Sequence, residues 1–183
     1  MATLQLDLSR NATRGYMYAS LLDSLSPERR AEVRTRLADL VIPSKHHHNL
    51  AEVLQTVDSL EVSKQVKQDA RSIYRILAEA EAQVHGCSVD QTHFHEVGNG
   101  EAIENVIGIC LAIEALDPER IQASFVQTGK GQVECSHGIL DIPAPATAAI
   151  LNRGIPRCEE TLDGELCTPT SAAIILHFVD EFV

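Results

Sequence analysis

The chain has no tryptophan and only seven aromatic residues of the Phe and Tyr types, 4% of its 183 positions. Its 44% apolar content must therefore be carried by Leu, Ile, Val and Ala, which favours helix-rich layers over an aromatic-packed β-sandwich. No two cysteines are spaced CxxC. The five that occur, Cys87, Cys110, Cys135, Cys158 and Cys167, are odd in number and far apart, so neither a disulfide framework nor a zinc ribbon is indicated. Basic residues are scarce as well. Lys and Arg total 15 against 26 Asp and Glu, a formal net charge of -11, and such a surface repels nucleic-acid phosphates and anionic lipid. No nucleic acid and no membrane is expected as a partner. The opening MATLQLDLSR contains Asp7 and no apolar run of signal or membrane length, so a cytoplasmic location is expected. Acids such as Glu79, Glu81 and Glu119 read as solvated helix faces that keep the protein in solution.

What is present is periodic. Leu4, Leu6 and Leu8 alternate with polar residues and predict a strand over Thr3 to Leu8. Helices are predicted over Tyr16 to Leu25, and from Pro27 to about Asp39 behind a Ser26-Pro27 start. The segment Val41 to Asn49 breaks at Ile42-Pro43 and reads as a loop leading into a short helix. Val62, Val66, Ala70, Ile73, Leu77, Ala80 and Val84 step by threes and fours, the pattern of a long amphipathic helix that Gly86 ends. The run from Ile103 to Leu116 is apolar nearly all round and should be central. Strands are predicted at Ile121 to Gln127, Gln132 to Cys135 and Ile139 to Ile142, with further helices starting near Pro145 and Pro169. The fold class is α/β: one helix-rich unit over residues 1–183, with a small mixed sheet packed by helices.

Chemistry concentrates in a few segments. GxGxxG, Walker, nucleophile-elbow and HExxH patterns are all missing, so the common nucleotide, hydrolase and zincin readings lack support. In His93-Phe94-His95-Glu96 the two imidazoles lie two residues apart; in an extended segment they project to one side, with Phe94 toward the core. Imidazole suits nickel, zinc and copper, and Glu96 can add an oxygen donor. An HxH pair also arises by chance in exposed strands. The run His46-His47-His48 can turn one or two rings toward an ion, or serve as a polar lead into the next helix; both readings stay open. Cys135 and His137 offer sulfur and nitrogen two residues apart in a glycine-rich stretch that a turn also explains. Two helix starts follow a proline-then-small-residue grammar, one around Thr147 and one at Thr168, Thr170 and Ser171. Helix N-termini of this kind receive phosphate or carboxylate, and equally serve as plain caps.

Taken together, HHHNL from His46, AEAEAQVHG ending at Gly86, HFHEVG from His93, HGILDIPAPAT ending at Thr147 and GELCTPTSAA from Gly164 resemble the motifs of the LarC family of nickel-insertion proteins, in the family's order and over most of the chain. The resemblance implies CTP-dependent insertion of nickel into pyridinium-3,5-bisthiocarboxylic acid mononucleotide, a cyclometallase reaction of the lyase class that makes the nickel-pincer cofactor. It implies nickel, or another divalent cation, held by His93, His95, Glu96, His46, His47, His48 and His137. The phosphate of the cofactor precursor is then expected at Thr168, Thr170, Ser171 or Thr147, with Asp7 as a further contact. The family's glycine-rich opening is replaced here by DLSRNATRGYM, and Glu101 and Asn105 stand where the family carries aspartates. The family's C-terminal region is expected as a separate partner through which CTP enters, and a homo-oligomer is expected. The alternative is a non-catalytic paralogue acting as a ligand-binding or scaffold module.

Overall fold

A computed structural model describes residues 2–183. Strand β1 (Thr3–Leu6) ends two residues before the expected Leu8. There the Asp7 carboxylate accepts from the Ser9 N–H at 3.0 Å, a local turn that competes with the ladder, and the Leu8 N–H is donated to the Ser124 hydroxyl instead.

Side-chain caps set the helix starts. Thr13 opens α1 (Arg14–Asp23), Ser26 followed by Pro27 opens α2 (Pro27–Ala38), and Asn49 opens α3 (Leu50–Ser59). Each cap side chain accepts a backbone N–H of the first turn that would otherwise lack a partner. Ser63 caps α4 (Lys64–His85), which ends at Gly86 in the left-handed conformation, φ 64°. Its predicted stripe is buried from Val66 to Ala80, while Val84 stays 39% exposed. Asn99 caps α5 (Gly100–Leu116).

As its composition predicts, α5 is the central helix, buried along Ile103, Val106, Ile107, Ile109, Cys110 and Leu111 and packed by α1, α2 and α4. Gly108 lets α1 and α2 come close: a Cβ there would meet Leu37 at 3.0 Å and Tyr18 at 3.3 Å. Each fully buried Ile or Leu contributes about 1.5–3 kcal/mol from apolar transfer.

The strands are few and short, and fall into three groups. β2 (Arg120–Ala123) pairs in parallel with β1 on one side and with β7 (Glu181–Phe182) on the other, giving the order β1-β2-β7. β3 (Gly129–Lys130) pairs antiparallel with β6 (Gly164–Glu165). β4 (Gln132–Cys135) and β5 (Gly138–Asp141) form a hairpin. The expected strand over Ile121 to Gln127 ladders only to Ala123; beyond it Val126 bridges Arg157 and Gln127 donates to the Leu8 carbonyl, so the chain stays extended but changes partners. Helices α6 (Pro145–Leu151) and α7 (Pro169–Phe178) pack on α4 and on each other. One apolar core runs from Leu6 to Ile175. Among the described residues no helix is long and apolar enough to cross a membrane.

Candidate functional site

The end of α4, the segment between α4 and α5, the β4–β5 hairpin and the starts of α1, α6 and α7 surround one cleft of about 750 Å³. That is a volume suited to a small-molecule ligand. Its lining is chemically mixed. Val84, Val97, Val133, Leu140 and Ala146 give it apolar surface, and Glu81, His85, His95, Glu96, Cys135, His137 and Glu165 supply donor groups. Arg14, Asn99, Thr168 and Thr170 lie where α1, α5 and α7 begin. Helix starts carry positive partial charge, so this part of the cleft favours an anion.

Three histidines from three stretches of chain meet here. The rings of His95 and His137 stand edge to face with centroids 4.7 Å apart, and His85 lies 5.1 Å from His137. The Glu81 carboxylate reaches His85 Nε2 at 3.3 Å. Glu81 is not the solvated helix-face acid its sequence position suggests. Burial raises its pKa above the usual carboxylate range, opposed by the nearby His85, His137 and His95. Glu165 is raised too, by burial and then by the charge of Glu96. Partial burial works against ionised Glu96, yet hydrogen bonds from Ser136 and from its own backbone N–H leave its pKa below the ordinary range. Glu81 and Glu165 are half-buried and Glu96 is exposed, and a cation would offset the charge of this group. Among the described residues no three His, Cys, Asp or Glu side chains already converge closely enough to hold a metal ion.

Of the expected donors, His95, Glu96 and His137 line the cleft. The alternation in the His93 segment holds, with Phe94 buried and His93 and His95 exposed, although the backbone at His95 is irregular (φ -104°, ψ -90°) rather than a strand. His93 is not among the cleft residues. The run His46-His47-His48 lies outside the cleft as well. His47 is fully buried and uses both ring nitrogens, Nδ1 with the Gly98 carbonyl at 2.9 Å and Nε2 with the Thr56 hydroxyl at 2.7 Å, which leaves no lone pair for an ion. His46 Nε2 donates to the Phe94 carbonyl at 2.7 Å, and the exposed His48 ring stands 4.7 Å from that of His46.

The expected anion contacts divide in the same way. Thr168 and Thr170 line the cleft; Ser171 is buried and closes a capping box with Thr168. Thr147 is fully buried in α6 with its hydroxyl unpartnered, and is closed to a ligand at the surface. Asp7 sits apart from the cleft just after β1, its Oδ1 accepting from Ser9 and Ser124. Residue-by-residue reading missed Glu81, His85, Glu165 and Arg14. For the first two a signal existed: Glu81 and His85 are four apart, on one face of a helix, inside the AEAEAQVHG motif.

Fold and cleft define a small α/β protein with an open pocket edged by imidazoles, carboxylates and one thiol. A family description for nickel insertion proteins matches residues 9–183, and the chain belongs to that family. Over 139 residues it is 40% identical to the pyridinium-3,5-bisthiocarboxylic acid mononucleotide nickel insertion protein of Staphylococcus epidermidis, covering 76% of this chain and 35% of the relative. Proteins of the same name from Staphylococcus saprophyticus and Desulfitobacterium hafniense are 41% and 38% identical, covering 71% and 74% of this chain and 33% and 34% of theirs. The chain spans about a third of the length of these relatives. No solved structure matches it.

Proposed function

We propose that this chain binds nickel and delivers it for insertion into pyridinium-3,5-bisthiocarboxylic acid mononucleotide, with CTP chemistry supplied by a separate C-terminal region of the family. The observation that carries the reading is the meeting of His85, His95 and His137 beside Glu81 and Glu96 in one cleft. Borderline-soft divalent nickel accepts imidazole nitrogen and carboxylate oxygen, and the two thiocarboxylates of the substrate add soft sulfur donors of their own. A cargo ion needs only a partial protein shell, because the acceptor completes it. The acids favour the cation and the positively charged pyridinium ring, while Arg14, Thr168, Thr170 and the starts of α1 and α7 suit the phosphate.

Equilibrium dialysis tests this. The intact chain is expected to take up nickel, and a His95→Ala, His137→Ala double variant that stays folded to lose it; unchanged nickel uptake in the variant overturns the assignment. A second reading, a ligand-binding module without metal chemistry, is favoured by the lack of three converged donors among the described residues. It predicts mononucleotide binding with no nickel uptake.

A further inference from the structure

The three-histidine run does not face the cleft, yet it touches the segment that does. His95 and Glu96 lie in the stretch 92–98, which pairs with no strand and ends in a single 3-10 turn (Glu96–Gly98), so its carbonyls need partners from outside any α-helix or sheet ladder. Three ring side chains from elsewhere take them. His46 Nε2 donates to the Phe94 carbonyl at 2.7 Å, Tyr74 Oη on α4 donates to the Val97 carbonyl at 3.0 Å, and His47 Nδ1 donates to the Gly98 carbonyl at 2.9 Å. A carbonyl only accepts, so the proton sits on His46 Nε2 and on His47 Nδ1. His47 Nε2 is then an acceptor, and the Thr56 hydroxyl donates to it at 2.7 Å, fixing the ring from behind. The backbones add two more ties, the His47 N–H to the Gly98 carbonyl and the Phe94 N–H to the His48 carbonyl, both at 2.8 Å. The two strips press so closely that a Cβ at Gly98 would lie 2.0 Å from the His47 carbonyl oxygen, and one at Gly100 2.5 Å from that of Pro43.

We propose that His46, His47 and Tyr74 are positioning residues: a clasp of three ring donors that fixes the backbone carrying His95 and Glu96, and so sets the direction in which those two donors enter the cleft. The proposal rests on the nickel reading for its function, while the clasp itself is a property of the metal-free fold. Its logic is that of groups behind a metal site, which act by orienting the ligands and whose loss typically lowers metal affinity about 10–100-fold without changing the ligand set. Tyr74 makes the sharpest case. Its ring is fully buried against Phe94, and its hydroxyl acts on the cleft only through the Val97 carbonyl.

The test uses Tyr74→Phe, which deletes one hydroxyl, His46→Ala, and His46→Gln, whose amide can still donate to the Phe94 carbonyl. These are preferred to His47→Ala, because emptying a fully buried position can unfold the chain. Nickel titration followed by X-ray absorption on the intact chain should give about 10–100-fold weaker binding in Y74F and H46A, with stoichiometry and imidazole count unchanged and affinity largely restored in H46Q. Loss of one imidazole from the nickel shell in H46A would make His46 a ligand and overturn the proposal, as would wild-type affinity in folded Y74F and H46A. Should the wild-type chain take up no nickel, the delivery reading fails, and hydrogen exchange judges the clasp separately. The amides of residues 94–98 should exchange at least about tenfold faster in Y74F and H46A, and unchanged exchange overturns it.

Discussion

The Glu96 carboxylate accepts the backbone N–H of Ser136 at 2.8 Å, joining the segment ahead of α5 to the tip of the β4–β5 hairpin forty residues further along the chain. Through this bond the hairpin sets His137 against His95. The hairpin has little else to hold it: its residues are half-buried or exposed, and Ile139 is 68% open to solvent.

Glu96→Ala should therefore release the hairpin without unfolding the protein. Hydrogen exchange at the amides of β4 and β5 is expected to rise several-fold, with the amides of α4 and α5 unchanged. The wild-type tie has a pH signature. The folded carboxyl titrates below its ordinary range, so the stabilisation is complete above that range and disappears only as the pH falls through the depressed value. Hairpin exchange that accelerates already in mild acid would contradict this.

Glu81 behaves in the opposite sense. Its folded pKa is raised by burial, so the native state binds more protons than the unfolded chain, and ionised Glu81 subtracts stability as the pH rises from the ordinary carboxylate range through the raised value. Glu81→Gln should raise the thermal midpoint at neutral pH and lose that advantage in acid, where the wild-type carboxyl is already neutral. Thermal melts at two pH values decide it. The same variant should weaken nickel uptake.

Central and peripheral isoleucines should separate cleanly. Ile107 is fully buried in α5, and Ile107→Ala is expected to cost about 2–5 kcal/mol in urea unfolding. Ile139, out on the hairpin, should change by no more than about 0.5 kcal/mol on the same substitution.

Thr168 caps α7 and lines the cleft, so its replacement carries two signatures. Thr168→Ala should lower stability by about 1 kcal/mol through loss of the capping box. If the start of α7 also receives the substrate phosphate, mononucleotide affinity should fall while nickel affinity does not, as read by calorimetry with each alone.

Local chemistry made much of this fold legible. Ser26-Pro27, Asn49, Gly86 and Thr168-Pro169 announce helix ends by hydrogen-bond rules that act within four residues, and the helices begin or end where those residues stand. The all-round apolarity of Ile103 to Leu116 correctly marked the central helix. Strand lengths were less legible, because β1 stops where Asp7 takes the Ser9 N–H in a local turn and Ser124, 116 residues away, takes that of Leu8. In the cleft, His95 and His137 could be nominated one at a time, but their meeting depends on how the hairpin folds back, which no local spacing encodes. His47 illustrates the converse. Its sequence neighbourhood suggests metal, whereas the free carbonyl of Gly98 and the hydroxyl of Thr56, visible only in three dimensions, account for both of its nitrogens.

The parallel sheet has a consequence for how the molecule is made. β1 precedes every helix described here, yet its partner β2 begins only at Arg120, with Gln5 facing Gln122 across a sequence separation of 117. The third strand, β7, comes last. During synthesis the five helices α1 to α5 are made before β1 has anything to pair with. Sheet closure is thus a late event, and a chain halted before residue 120 would carry Leu4, Leu6 and Leu8 unpaired, a natural target for chaperones.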